Sequence, residues 1–61
     1  MNFSEYLKKT RVDNAKTMLL NTDQSVEDIS YAVGYSDIKY FSRLFKKLTG
    51  VTPTEFRKLY N

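Results

Sequence analysis

The 61-residue sequence contains no cysteine, no histidine and no tryptophan, and it has only one proline and two glycines. Without cysteine the chain has no disulfide framework, no thiol chemistry and no zinc finger. Without histidine it lacks the most common general base and an imidazole ligand for a metal. The acidic residues include neither a nucleophile–base pair nor a cluster of metal ligands. We therefore expect no enzyme, no catalytic residue, no metal and no cofactor.

Long hydrophobic runs are absent as well. No stretch approaches the length of about 20 apolar residues that a membrane-spanning helix needs, and the residues after Met1 do not resemble a signal peptide. We expect no membrane contact, and a cysteine-free chain fits the reducing cytoplasm. A chain this short forms one small domain, which buries only about 60% of its unfolded surface. Four Phe and five Tyr, within 41% hydrophobic residues, still supply enough apolar surface for a core.

The formal net charge is only +3, but the two signs are separated along the chain. Every charged residue from Asp23 to Asp37 is acidic, and every charged residue from Ile38 to Gly50 is basic. An acidic segment followed directly by a basic one indicates that the second segment meets an anionic partner.

Hydrophobic periodicity and capping residues predict four helices and no strand, which is an all-α fold. The predicted unit consists of a long scaffold helix, a helix-turn-helix pair and a short C-terminal helix. The first three helices are expected at 3–21, 26–33 and 38–49, and the fourth begins at Thr52-Pro53. The expected N-caps are Asn2, Ser25, Asp37 and Thr52, with Glu5, Asp28 and Glu55 in capping-box positions.

Helical spacing also predicts which side chains face the core. They are Phe3, Leu7, Ala15 and Met18, flanked by Tyr6 and Leu19, in the first helix; Val26, Ile29 and Val33 in the second; Phe41, Leu44, Phe45 and Leu48 in the third; and Phe56, Leu59 and Tyr60 in the fourth. Arg11 falls within the first apolar stripe, so we expect its stem to be buried and its guanidinium to pair with Glu27 or Asp28. The aromatic residues also suggest an alternative function, in which they stack on the bases of single-stranded nucleic acid. We disfavour it because most of them fall on inward positions. Tyr31 and Tyr40 are the exceptions, since their positions are less clearly inward.

The segment from Ser25 to Gly50 has the pattern of a helix-turn-helix. A short capped helix is followed by the turn Gly34-Tyr35-Ser36 and then by a longer basic helix. The sharp reversal needs glycine, because a positive φ is unfavourable for residues with a Cβ. In such a motif the first helix holds the second, and the second offers its outer face to the edges of DNA bases. We therefore predict that the third helix enters the major groove of double-stranded DNA.

With the apolar face of the third helix turned inward, six residues are predicted to meet DNA. Arg43 suits bidentate recognition of guanine, and Lys39 can reach guanine or a phosphate. Ser42 can donate or accept a hydrogen bond, and Ile38 suits contact with a thymine methyl group. The predicted base contacts are thus Ile38, Lys39, Ser42 and Arg43, and the predicted phosphate contacts are Lys46 and Lys47.

Three segments resemble the signature of AraC/XylS-type bacterial transcription regulators. They are Ile29-Ser30-Tyr31-Ala32-Val33-Gly34-Tyr35-Ser36-Asp37, Tyr40-Phe41-Ser42-Arg43-Leu44-Phe45-Lys46-Lys47 and Gly50-Val51-Thr52-Pro53-Thr54-Glu55-Phe56-Arg57, together with Arg11, Ala15 and Leu19-Leu20. The resemblance covers nearly the whole chain. It implies that residues 1–61 form the second helix-turn-helix subdomain of a two-unit DNA-binding domain, with the motif at 25–50. The first unit and a ligand-sensing or receiver domain would then precede Met1.

The resemblance also implies that Ile38, Lys39, Ser42 and Arg43 face the bases. In this family the second unit often reads bases less strictly than the first, and an apolar Ile38 is compatible with loose readout. The alternative function is that of a protein-interaction module, which would contact RNA polymerase or a sensor domain. A protein partner prefers an apolar centre whereas DNA requires a positive face, so exchanging Lys39 and Arg43 for Ala discriminates between the two.

Overall fold

The computed structural model describes residues 1–61 and contains four α-helices, α1 (Phe3–Asn21), α2 (Val26–Ala32), α3 (Ile38–Thr49) and α4 (Pro53–Tyr60). No residue lies in a β-strand, so the predicted all-α fold is confirmed. The second helix ends one residue earlier than predicted, because Val33 adopts φ −91° and ψ 0° and forms its C-cap. None of the helices is both long enough and apolar enough to span a lipid bilayer.

Side chains cap the start of every helix, as predicted. Each cap oxygen accepts a hydrogen bond from the backbone N–H three residues on, which would otherwise have no partner. The four pairs are Asn2–Glu5 at 2.8 Å and Ser25–Asp28, Asp37–Tyr40 and Thr52–Glu55, each at 3.1 Å. Only at Thr52 is the reciprocal bond also formed, because the Glu55 carboxylate accepts from the Thr52 N–H at 2.9 Å. The full capping box predicted for Glu5 is therefore wrong, and only its backbone half is formed.

The hydrophobic core lies where α1 packs against the other helices. Its eight buried residues are Val12, Ala15, Leu19, Ile29, Val33, Phe41, Leu44 and Phe45. Phe41 and Phe45 are both fully buried, and their ring centroids lie 5.9 Å apart. Since burying a Phe side chain contributes about 1.5–3 kcal/mol, this pair is a main source of stability in a chain of this size.

The inward face of α1 differs from the predicted one at its N-terminal end. Val12, which was not predicted to be inward, is buried with Ala15 and Leu19, whereas Phe3 and Tyr6 are 77% and 59% exposed. The reason is direction, because at about 100° per residue Phe3 and Tyr6 point away from the side of α1 that carries the buried residues Val12, Ala15 and Leu19. The apolar stripe predicted for α1 was therefore turned around the helix relative to the side that packs.

Three further predicted core residues are exposed because they lie near the ends of their helices. Leu48 is 48% exposed near the end of α3, and Leu59 and Tyr60 are 64% and 65% exposed at the end of α4. Helical spacing gives the direction in which a side chain points, but not whether another helix lies at that height. At these helix ends the side chains point in the predicted direction, but no neighbouring helix is there to cover them.

A contact that the sequence pattern did not reveal joins α4 to α1. Arg57 donates from Nε to the carbonyl of Leu19 at 3.0 Å and from Nη2 to the carbonyl of Thr22 at 3.1 Å. A helix leaves its last carbonyls without internal partners, so this guanidinium caps the C-terminal end of α1. The contact fixes α4 against the long helix and leaves α3 uncovered on its outer side.

Candidate nucleic-acid interface

The link between α2 and α3 is a tight turn held by hydrogen bonds. Gly34 has a φ of +110°, in the region that favours glycine, as the predicted reversal requires. The Ser30 hydroxyl donates to the carbonyl of Tyr35 at 2.9 Å, and the Tyr35 N–H donates to the carbonyl of Ser30 at 2.9 Å. Ser30 is fully buried, so these bonds satisfy polar groups that water cannot reach. The turn was predicted, whereas this role of Ser30 was not.

The outer side of α3 carries a row of cations. Lys39, Arg43 and Lys46 are all exposed and recur at the i, i+4, i+7 spacing of one helix face. The opposite face holds the buried Phe41 and Phe45. The same helix therefore anchors itself in the core on one side and presents positive charge to solvent on the other.

The other predicted contact residues border this row. At about 100° per residue, Ile38 and Ser42 lie on one side of it and Lys47 lies on the other. Lys47 is exposed, while Ile38 and Ser42 are half-buried, so only part of each of these two side chains is presented outward. The structure thus brings all six predicted residues onto one helix, with Lys39, Arg43 and Lys46 at the centre of the outer face.

No acid neutralises these cations. The only ion pairs in the structure join Lys9 and Lys16 of α1 to Asp13, at 3.1 and 3.3 Å. The first turn of α3 contains no acidic residue, and its last turn contains Lys46 and Lys47. Lys46 is near enough to Glu55 of α4 for its charge to help lower the pKa of that carboxyl, whereas Lys39 and Arg43 form no ion pair. The outer face of α3 consequently keeps most of its positive charge, which suits it to an anionic partner.

The acidic residues of α2 stay apart from this face. Glu27 and Asp28 are exposed in the first turn of α2, and the Glu27 carboxylate accepts a 3.3 Å hydrogen bond from the Tyr31 hydroxyl. The negative charge of Glu27 raises the pKa of Tyr31 above its usual value. No group of three or more acidic side chains is placed to hold a metal ion.

Arg11 does not pair with Glu27 or Asp28, so that prediction is wrong. Its guanidinium carbon instead lies 5.1 Å from the centroid of the Tyr35 ring, over the turn. The residue is half-buried, as expected, but it lies on the side of α1 that meets the turn rather than the start of α2. The sequence pattern identified an inward arginine and could not show that an aromatic ring would receive it.

A short helix, a glycine turn and a second helix with an uncompensated row of cations define the helix-turn-helix class of DNA-binding modules. Comparison with known proteins agrees with this classification. The model of a family described as a helix-turn-helix domain matches residues 1–59. The chain is 43% identical over 61 residues to the helix-turn-helix-type transcriptional regulator YijO of Escherichia coli (strain K12). It is 45% identical over 60 residues to the transcriptional activator RhaR of Mannheimia succiniciproducens.

The structural comparison points the same way. The C-terminal domain of AraT, a response regulator from Geobacillus stearothermophilus, matches 97% of this chain with a TM-score of 0.94 and 37% identity. The match covers 49% of that domain, and the chain spans 22% of the length of YijO and of RhaR. The chain belongs to the AraC-type helix-turn-helix family of bacterial transcription regulators, as the resemblance predicted. At the level of the family, its role is DNA binding in transcription regulation.

Proposed function

We propose that this chain binds double-stranded DNA sequence-specifically by placing α3 in the major groove. The observation that carries the proposal is the exposed row of Lys39, Arg43 and Lys46, which forms no ion pair and lies on the second helix of the motif. The phosphates of DNA supply the counter-charge that the protein itself lacks.

Different residues contribute affinity and specificity. Arg43 is the side chain best suited to bidentate contact with guanine, and Lys39 lies one turn before it on the same face. Ile38 and Ser42 read bases from the border of the row, through a methyl contact and a hydrogen bond. Lys46 and Lys47 bind phosphates, which supply most of the affinity and make it strongly dependent on salt.

The chain acts as one half of a two-unit reader within a longer regulator. Two observations support this: Phe3 and Tyr6 form an uncovered aromatic surface at the start of α1, and the chain covers 49% of the solved AraT domain. Another helix-turn-helix unit packs against that surface, and a sensor or receiver domain controls the pair from elsewhere in the regulator. Such a protein acts on DNA in the bacterial cytoplasm by binding rather than by catalysis, in line with its relatives named as transcriptional regulators.

One feature favours protein interaction as a second function. A groove of about 450 Å³ lies between the N-terminal half of α1 and the end of α3, with an apolar part formed by Met1, Val12 and the half-exposed Leu48. The rest of its lining is polar or charged and consists of Glu5, Lys9, Asp13, Lys16, Lys47 and Thr49. A protein such as RNA polymerase that offers an apolar side chain surrounded by polar groups fits such a groove better than DNA does. This function uses the end of α3 and leaves the cationic row unoccupied.

The test is fluorescence anisotropy of a labelled DNA duplex titrated with the chain at about 50 and 200 mM salt. We expect binding that weakens steeply with salt, and weaker binding for Lys39→Ala and Arg43→Ala. Lys9→Ala is the matched control, because it removes one exposed cation from α1 and should leave affinity nearly unchanged. Absence of DNA binding by the folded wild-type chain would contradict the proposal. Equal losses of affinity in all three variants would mean that binding depends on net charge and not on the outer face of α3.

A further inference from the structure

Arg11 of α1 makes close contact with two consecutive residues of the turn. Its guanidinium carbon lies 5.1 Å from the ring centroid of Tyr35. A Cβ placed on Gly34 would come within 3.0 Å of both Cζ and Nε of Arg11. A side chain at position 34 would therefore push the guanidinium aside by a few tenths of an ångström. Gly34 is required for its positive φ, and it also leaves room for Arg11 to lie where it does.

The contact is not an ion pair. Arg11 takes part in neither of the two salt bridges and forms none of the side-chain hydrogen bonds in the structure. A planar, weakly hydrated guanidinium is suited to stacking on an aromatic face, and the compact ammonium of lysine is not equivalent to it. The shape of Arg11 and not only its charge is therefore used at this position.

Tyr35 carries the contact from the turn into α3. Its ring centroid lies 5.6 Å from that of Tyr40 and 5.9 Å from that of Phe41, both near the start of the helix. The Tyr35 hydroxyl is buried and has no hydrogen-bond partner, so its own polar group does not determine where the ring sits. The ring therefore contacts Arg11 of α1 and both aromatic rings at the start of α3.

We infer that Arg11 is a positioning residue for the DNA-reading helix. By holding Gly34 and Tyr35, it sets the direction in which α3 leaves the turn and thus where Lys39 and Arg43 lie, without touching DNA itself. Productive contacts need their groups held within about 0.5 Å and 10–20°, so a small rotation of α3 is enough to weaken them. This inference rests on the proposed function only in taking α3 as the reading helix.

The first experiment compares DNA binding by Arg11→Met, Arg11→Lys and Lys46→Met at a temperature where circular dichroism shows all of them folded. We expect Arg11→Met to weaken binding by roughly 3- to 10-fold, because the cation–π contact no longer holds the turn and α3 in one direction. Its salt dependence should match the wild type, whereas Lys46→Met should lower the slope by about one phosphate contact. Arg11→Lys should recover only part of the affinity.

Three outcomes of that comparison would overturn the inference. Unchanged affinity in Arg11→Met would mean that the turn holds α3 without it. A lower salt dependence of binding in Arg11→Met would mean that Arg11 contacts a phosphate. Full recovery of the affinity by Arg11→Lys would mean that the positive charge of Arg11 is used and its shape is not.

The second experiment needs no DNA. In two-dimensional ¹H–¹⁵N spectra of the chain, Arg11→Met should shift the amide signals of residues 34–43 more than those of α4. Gly34→Ala should lower the melting temperature less in an Arg11→Ala background than in the wild type, because the clash with the guanidinium has gone and only the strain in φ remains. The inference would be contradicted if Gly34→Ala lowered the melting temperature equally in both backgrounds and Arg11→Met left the amide signals of α3 unshifted. A wild-type chain that binds no DNA would overturn the proposed function alone, since these spectra still report on Arg11.

Discussion

The cations of α1 and α3 are held in opposite ways. Lys9 and Lys16 of α1 share Asp13, which lies between them on the helix surface. Lys39 and Arg43 of α3 are i, i+4 neighbours of like charge with no acid within reach. On α1 the charge is balanced inside the protein, whereas on α3 it is left for something outside the protein to balance.

The difference supports our proposal that the functional positive surface is the one on α3. Like charges at i, i+4 destabilise a helix by about 0.2–0.5 kcal/mol, so the row on α3 is slightly unfavourable to the fold. Paired surface charges such as those of α1 contribute about 0.2–1 kcal/mol. A surface that opposes folding and still remains exposed fits binding, and variants that exchange the two arrangements test this reading.

The largest effect should come from the inner face of α3, on which its outer face depends. Phe45→Ala removes a fully buried ring and should cost about 3–5 kcal/mol. A chain of 61 residues has a total stability of roughly 3–9 kcal/mol, so this variant should lose at least about a third of it and melt well below the wild type by circular dichroism. Leu48→Ala on the same helix is the control and should cost at most about 1 kcal/mol, because Leu48 is half-exposed. Equal losses in the two variants would show that Leu48 belongs to the core after all.

The next largest effect should come from giving α3 the paired arrangement of α1. Lys39→Glu places an acid four residues before Arg43 and at the positive end of the helix dipole, which should stabilise the fold by roughly 0.5 kcal/mol. The same change should weaken DNA binding by about 100-fold or more, since opposing like charges at an interface costs several kcal/mol. Thermal melts and anisotropy measure the two effects separately.

The matching change on α1 is Lys9→Glu, which puts a second acid one helical turn before Asp13. It should lower the melting temperature and change DNA affinity far less than Lys39→Glu does. If Lys39→Glu bound DNA as tightly as the wild type, α3 would not be part of the DNA interface.

The features that could be predicted from the sequence are those set by nearby residues. The four N-cap bonds each span three residues, and the two faces of α3 follow from its own periodicity. The glycine turn between the helices is equally local. These features define the motif, which is why the fold class and the basic face of α3 could be read from the sequence.

The features that could not be predicted depend on where distant residues meet. The bond from Arg57 to Leu19 joins residues 38 positions apart, and Arg11 meets Tyr35 rather than an acid. Phe3 is exposed because it points away from the side of α1 that packs, and Tyr60 is exposed because it lies at the end of α4. Periodicity describes one helix at a time, whereas burial and pairing are properties of the assembled fold.

A smaller effect is expected from removing the acid of α1. Asp13→Asn should lower the free energy of unfolding by about 0.2–1 kcal/mol, the usual range for exposed pairs, and leave DNA affinity close to the wild type. Urea unfolding and anisotropy measure the two quantities. Asp23→Asn is the control, because it changes the net charge equally but removes no ion pair. A large gain in DNA affinity for Asp13→Asn alone would mean that Lys9 and Lys16 also meet DNA once released.

The smallest effect should appear in the dependence of stability on pH. The hydrogen bond from Lys9 lowers the pKa of Asp13 below its ordinary value of 3.8, and bonds with Thr52 lower the pKa of Glu55 below 4.5. Because both pKa values are lower in the folded chain, the stability they provide is present above the unfolded values and is lost as the pH falls through the lowered ones. Urea unfolding of the wild type should therefore be constant down to about pH 5 and then weaken, and Asp13→Asn with Glu55→Gln should flatten this decline. An unchanged decline in the double variant would assign the acid sensitivity to other carboxylates and would mean that the balanced charge of α1 contributes nothing to folding.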